Sequence, residues 1–355
     1  MDELRYGVIG TGMMGVEHIE NVNALDGAVV TAVADPHPQS RDAGQAAAAG
    51  SVQVFSDHRA LLDSVDLDAV VVASPNMTHI DVLRDVLATD IPVLIEKPMC
   101  TTVEDCKEVI KLAEDRSGLV WVGLEYRYMP PVARLIEELD SGIAGAVQMV
   151  AIREHRFPFL VKVGNWNRFS ANTGGTLVEK CCHFFDLMTL FAGSHPTRVM
   201  ASGGQSVNHL DEVYDGRSSD ILDNAYVIVE YDNGVRAMLD LCMFAEATHN
   251  QEEISVVGDQ AKLEALIPEN VVRIGRRGEH SIGHVEVHEV TDDTVRHEGL
   301  HHGSSYVEHR RFAEAIRSGG EPDVSLWDGL LSVAIGAAAH KAIDEGRPVT
   351  MDEIL

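Results

Sequence analysis

Apolar residues follow two rhythms along this 355-residue chain. Through the first third, short apolar runs alternate with amphipathic stretches. Leu4–Gly10, Ala28–Ala34, Val52–Phe55, Ala69–Ala73, Val93–Glu96 and Leu119–Leu124 read as strands. Between them Met14–Leu25, Gln39–Ala49, His58–Asp63, Thr78–Ala88 and Val103–Arg116 read as helices. The Ala69–Ala73 run is apolar throughout, which suits a strand covered on both faces. Strands alternating with helices of this length predict βαβ units around a parallel sheet.

The rhythm changes after Glu125. Pro130-Pro131 opens one more helix, to about Leu139. Longer strand-like stretches follow at Ala146–Glu154, Thr197–Ser206, Ala225–Tyr231, Val235–Phe244, Glu253–Val257, Lys262–Leu266, Val271–Ile274 and Val285–Val290. Asp232-Asn233-Gly234 between two of them is a hairpin signal. Helices return at Glu179–Phe191, Tyr306–Arg317 and Trp327–Glu345. The pattern predicts an α/β chain in two domains. Residues 1–124 form a doubly wound parallel sheet. Residues 125–355 form a second α/β domain with an antiparallel or mixed sheet. The last helix, 327–345, is expected to pack back near the junction.

Composition narrows the class. The apolar fraction is 45%, enough for a large buried core. Acidic residues number 56 against 28 basic ones, a formal charge of −28. That argues against nucleic acid and against an anionic membrane as partners. Lysine is scarce, 7 against 21 arginines. Five cysteines without CxxC spacing read as reduced thiols, neither a disulfide framework nor a zinc site, so no metal is expected. The acidic start Met1-Asp2-Glu3 is unlike a signal peptide, and no apolar run reaches ~18 residues. A cytoplasmic location is the expectation.

Candidate chemistry gathers at four places. Gly10-Thr11-Gly12-Met13-Met14-Gly15 follows the first predicted strand and opens a helix. In that context Gly10 allows the tight turn and Gly12 admits a pyrophosphate. Gly15 lets helix and strand pack, with Met13 and Met14 at the helix start. Asp35, 20 residues past Gly15, is placed to grip a ribose 2′-hydroxyl, which favours NAD; NADP is the lesser alternative, through nearby Arg41. Ser74-Pro75-Asn76-Met77-Thr78-His79 follows the fourth strand, either facing the cofactor or simply capping a helix. Glu96-Lys97-Pro98 ends the fifth, where Lys97 either donates to a substrate oxygen or makes a surface salt bridge. Glu179 and His183 are four apart, on one face of a predicted helix, with Asp186 three further. They suit proton transfer, half a metal site, or a plain polar helix start.

Taken together, these motifs resemble the Gfo/Idh/MocA oxidoreductase family. The resemblance spans nearly the whole chain, with further matches at Gly123–Tyr128 leading to Pro130, Asp223-Asn224-Ala225 and Val324–Leu330. It implies an N-terminal Rossmann domain that binds NAD through the glycine loop, Asp35, the Ser74–His79 turn and Glu96-Lys97. It implies that the mixed or antiparallel sheet of the second domain is large and open, with a homodimer or homotetramer built on it. It also implies hydride transfer between a ring hydroxyl of a sugar, sugar derivative or cyclitol and the nicotinamide. Lys97, Glu179 and His183 match the family's catalytic lysine, acid and histidine. Inositol-oxidising members usually carry aspartate where Glu179 stands. The alternatives are a redox-neutral NAD-dependent enzyme that cleaves or epimerises glycosides, and a non-catalytic NAD-binding sensor. Arg127, Arg153, Trp166, Lys180 and His302 are the candidates for substrate hydroxyls, with His155, Arg156, Asn165 and Arg168 nearby. Neighbours on a helix point ~100° apart, so Lys180 should lie off the Glu179–His183 face. His280, His284 and His288 are expected on one solvated strand face.

Overall fold

The computed structural model describes residues 3–355; Met1 and Asp2 of the acidic start lie outside the described residues. The first rhythm folds as six parallel strands: β1 (Leu4–Ile9), β2 (Ala28–Ala34), β3 (Gln53–Phe55), β4 (Ala69–Val72), β5 (Val93–Glu96) and β6 (Val120–Gly123). Their order is β3-β2-β1-β4-β5-β6. Helices α1 (Met13–Asn23), α2 (Pro38–Ala47), α3 (His58–Ser64), α4 (His79–Val86) and α5 (Val103–Ala113) connect them. Every residue of β4 is fully buried, as its unbroken apolar run requires. The strand order reverses between β1 and β4, so a crevice opens at their carboxyl ends.

The second rhythm builds a nine-stranded mixed sheet. In chain order its members are β7 (Val147–His155), β8 (Pro196–Gly204), β11 (Asn224–Tyr231), β12 (Arg236–Cys242), β13 (Glu252–Gly258), β14 (Ala261–Ile267), β15 (Val271–Arg276), β16 (Glu286–Glu289) and β17 (Val349–Thr350). A separate two-strand hairpin joins β9 (Val213–Tyr214) to β10 (Arg217–Ser218). The sheet order is β16-β15-β14-β13-β7-β12-β11-β8-β17, with only β7 and β12 parallel. Asp232-Asn233-Gly234 makes the β11–β12 turn, and Gly234 takes the left-handed conformation it needs. Helices α6 (Pro130–Asp140), α9 (Cys182–Ala192) and α11 (Leu326–Glu345) cover one face. The α11 helix also packs on α5 and β6, so it touches both sheets.

Three expectations are corrected. The stretch predicted as one helix from Glu179 is two, α8 (Thr176–Glu179) and α9, broken at Lys180-Cys181. Lys180 at the break is held by buried partners off the helix axis. The His280, His284 and His288 set does not share a strand face: His280 is in a 3₁₀ turn, His284 in a loop and only His288 in β16. Glycines at 278 and 283 with positive φ interrupt the strand there. Arg127, expected to meet substrate, is consumed by the fold. Its Nε donates to Asp186 of α9 at 2.7 Å, Nη1 donates to the Asp323 carbonyl, and Asp328 of α11 lies 3.4 Å away.

That clamp gives a stability prediction. Arg127 is almost buried and Asp186 fully so. Burial raises the Asp186 pKa against the pull of Arg127. Replacing Arg127 with Leu leaves a buried carboxylate without its cation, at a cost of about 3–5 kcal/mol near neutral pH. A protonated Asp186 needs no cation, and its raised folded pKa stabilises the variant only at low pH. The deficit in urea unfolding should therefore shrink toward pH 5 and widen toward pH 8.

Candidate functional site

A cleft of about 1040 Å³ runs from the glycine loop along the carboxyl ends of β1, β4 and β5 to Lys97 and Glu179. At one end Gly10 holds φ +87°, and a Cβ there would lie 2.5 Å from the Ser74 amide. A Cβ on Gly15 would sit 1.9 Å from the Gly10 carbonyl, so Gly15 serves helix–strand packing. A Cβ on Gly12 would meet nothing within 4 Å, which leaves room over the start of α1. No side chain caps that helix, so its first N–H groups face the cleft as an anion site. Met13 and Met14 line the same end.

Asp35 lines the cleft beyond β2. Its two oxygens accept from the Thr11 and His37 amides, both at 2.8 Å, which fixes the carboxylate. Arg41 donates to the Asp35 and Pro36 carbonyls beside it. In the turn after β4, Ser74, Pro75 and Asn76 line the wall, and Asn76 Nδ2 is buried without a hydrogen-bond partner. The open space at Gly12, the uncapped helix, the fixed Asp35 and this orphaned amide together fit a dinucleotide. His79 plays a different part. It is fully buried between the Ser74 carbonyl at 2.9 Å and the Pro98 carbonyl at 3.0 Å, tying the β4 turn to the Lys97-Pro98 turn. Burial lowers its pKa.

The other end is built around buried charge. Glu96 accepts from the Lys97 amide at 2.9 Å and from His18 of α1 at 2.8 Å. His18 in turn meets His309 of α10 (Ser304–Ser318) at 2.8 Å. Burial pushes the Glu96 carboxyl up, but the His18 hydrogen bond and charge, with Lys97, outweigh it and hold it at about 2. Burial likewise pushes Lys97 down, and the neighbouring Cys182, Glu96, Glu179 and Glu125 reverse that, so its ammonium persists above the ordinary lysine range. Lys97 Nζ donates to the Glu179 backbone carbonyl at 3.3 Å. The Glu179 carboxyl is raised by burial, and its Oε2 has no partner.

His183 stands beside the cleft rather than on its wall, 1% exposed. Its ring stacks on Tyr126 at 3.9 Å and 9°, and its Nδ1 has no partner. Burial, then Lys97 and Lys180, drive its pKa well below the ordinary histidine value, so it is neutral at pH 7. Lys180, a candidate for substrate hydroxyls, is instead buried at the break between α8 and α9 and takes no place among the cleft-lining residues. Its Nζ lies 2.9 Å from Glu154 and donates to the Tyr126 hydroxyl at 2.6 Å. It therefore steadies the ring on which His183 stacks.

Of the remaining candidates, Trp166 lines the cleft. Arg153 does not: on β7 it points to the face opposite buried Glu154 and pairs with Glu253 of β13, because alternate strand residues take opposite faces. His302 is exposed, with φ +54°, while its neighbour His301 turns inward to 3.1 Å from Glu125. Burial lowers the His301 pKa to about 3 and raises the Glu125 carboxyl to about 7. Sequence reasoning gave no role to Glu125, Tyr126 or Lys162. Lys162 arrives on the loop before the 3₁₀ turn Val163–Arg168, whose left-handed Gly164 and Asn165 leave no periodic signal.

Comparison with known proteins follows the same division. Residues 4–124 match the NAD-binding Rossmann fold of an oxidoreductase family, and residues 136–351 match its C-terminal alpha/beta domain. The chain is 30% identical to inositol 2-dehydrogenase 2 of Saccharopolyspora erythraea, over 97% of this chain and 94% of that one. It is 25% identical to the myo-inositol 2-dehydrogenase of Thermotoga maritima, over 99% and 100%. The fold matches a levoglucosan dehydrogenase in complex with NADH, with a TM-score of 0.85 at 19% identity over 99% of each chain. With both halves matched in order and a cleft fitted to a dinucleotide, the chain belongs to the Gfo/Idh/MocA family of NAD-binding oxidoreductases.

Proposed function

We propose that this chain oxidises a ring hydroxyl of a cyclitol or sugar with NAD. One observation carries the reading: a single cleft joins the glycine loop and Asp35 to Lys97 and Glu179. Bound NAD would lie along Gly10, Gly12 and Met13 to Glu96, and its nicotinamide supplies the acceptor for the carbinol hydride. Neutral His183 takes the hydroxyl proton at a ring nitrogen. The Lys97 ammonium stabilises the developing charge on that oxygen. Glu179, with its free Oε2, accepts from a neighbouring hydroxyl or orients His183. Trp166 offers the ring a flat apolar wall. Tyr226, Ile228 and Met238 are exposed together on the uncovered face of the second sheet, which supports a homodimer or homotetramer. The relatives named as inositol dehydrogenases favour a cyclitol.

The test is a panel of inositols, sugars and sugar acids scored for NADH absorbance, with product analysis beside it. Reduction of NAD by at least one panel member is the expected result. Product change without NADH would mark redox-neutral turnover, and NAD binding with no turnover a sensor.

Two variants sharpen it. Asp35→Ser removes the carboxylate that repels a 2′-phosphate and leaves Arg41 beside the pocket. The ratio of kcat/KM with NADP to that with NAD should rise at least ~10-fold, equivalent to ~1.4 kcal/mol; an unmoved ratio would put Asp35 outside the adenosine pocket.

His183→Asn should cost on the order of 10²–10⁴ in turnover with NAD affinity nearly unchanged. Because burial and the nearby lysines hold the wild-type imidazole well below the ordinary histidine value, the deficit should not follow an ordinary histidine titration between pH 6 and pH 8. A deficit that grows through pH 6.5 would mean that His183 titrates as an ordinary histidine. Normal turnover in the variant would move the base to Lys97 or Glu179.

A further inference from the structure

Lysine occupies 7 of 355 positions in this chain. Three of the seven gather around one end of the cleft: Lys97 and Lys162 line it, and Lys180 lies buried behind it with Arg156. Two of these four cations are matched by the fold. Lys180 lies 2.9 Å from Glu154, and Arg156 lies 3.6 Å from the same carboxylate. Lys97 and Lys162 both line the cleft, and among the described residues neither ammonium has a carboxylate oxygen within 4.0 Å. Lys97 donates only to a backbone carbonyl.

Around Lys97, Cys182, Glu96, Glu179 and Glu125 outweigh burial, but half-buried Lys162 loses solvation and feels the Lys97 charge, so its ammonium is poorly matched until an anion meets it. The acids nearby do not supply one for Lys162. Glu96 is engaged by His18 and the Lys97 amide, Glu125 accepts from Ser305, and Glu154 serves Lys180. Glu252 is buried against Gln251, which donates to it at 2.6 Å. Glu179 and Glu96 both act on the two lysines from beyond 4.0 Å, and burial raises the Glu179 pKa. The chain as a whole carries a formal charge of −28, so a cationic spot inside the cleft is selective for an anion rather than part of a generally anion-attracting surface.

We infer that Lys162, with Lys97, receives an anionic substituent of the substrate, so that the cleft takes a polyhydroxylated acid in preference to a neutral polyol. This rests on the polyol-oxidation reading and narrows it. A ring carboxylate and a phosphate ester share the required chemistry. Trp166 on the same wall covers the ring while the lysines hold its charged group.

Equilibrium binding to the NADH-loaded full chain tests this, read by nicotinamide fluorescence. The probes are glucuronate, glucose 6-phosphate, glucose and myo-inositol. The better anionic probe should bind at least ~10-fold more tightly than either neutral one, with the preference shrinking as salt is added. Whichever anion wins separates carboxylate from phosphate. Lys162→Met should bring the ratio close to one and leave NADH affinity within about two-fold, whereas Lys162→Arg keeps the preference. Neutral probes that match both acids in the wild type would overturn the inference. So would a Lys162→Met variant that loses NADH affinity and keeps the anion preference. Turnover keeps the two readings apart. NADH formation from neutral polyols without anion preference removes the acid substrate and leaves the dehydrogenase. Anion preference without NADH formation from any probe removes the dehydrogenase and leaves the anion site.

Discussion

The site depends on one constraint, an ammonium group kept charged away from bulk water. Lys97 achieves this because Cys182, Glu96, Glu179 and Glu125 around it outweigh its burial. Glu96 stays ionised because His18 and the Lys97 amide fill its oxygens. His18 belongs to the helix whose start faces the cofactor, and His309 behind it belongs to α10. One buried chain of polar contacts therefore joins the glycine-loop helix, β5 and a helix from the far end of the sequence. A cut anywhere in it would leave a desolvated group unmatched, which is why these elements hold a fixed relation around Lys97.

The second end of the site is arranged by a break in a helix. Glu179 ends α8 and His183 is the second residue of α9, with Lys180 between them pulled toward Glu154 and Tyr126. The break lets Glu179 face the cleft while His183 lies flat against Tyr126. Enclosure there strips water from the imidazole, and two lysine charges nearby add to the penalty on its protonated form. The same buried surroundings keep the imidazole neutral and the Lys97 ammonium charged, the pairing that the proposed proton removal from an alcohol uses.

Much of this chain was legible in its sequence, for a physical reason. Secondary structure here follows side-chain period and turn chemistry, which are local. The six strands and five helices of the first sheet fall within a few residues of their predicted bounds, and the Asp232-Asn233-Gly234 turn forms its hairpin. The glycine loop was readable because close backbone approach admits no Cβ, as Gly10 and Gly15 show. Asp35 and Lys97 were readable because strand ends in a parallel sheet point at the crevice.

What only the tertiary structure decided concerns long polar side chains and irregular backbone. Arg127 and Arg153 looked free in sequence, yet one is spent on Asp186 and the other is turned away by strand alternation. His301 rather than His302 turns inward, a choice made by one left-handed residue in a loop without period. The partners of Lys180 lie 26 and 54 residues away in sequence, and no local pattern encodes them. The sequence by itself determined the sheets, the cofactor turn and the types of residue at the centre. Which charges are matched and which are left facing the cleft was settled by burial, because the cost of an unpaired charge depends on what the rest of the chain packs around it.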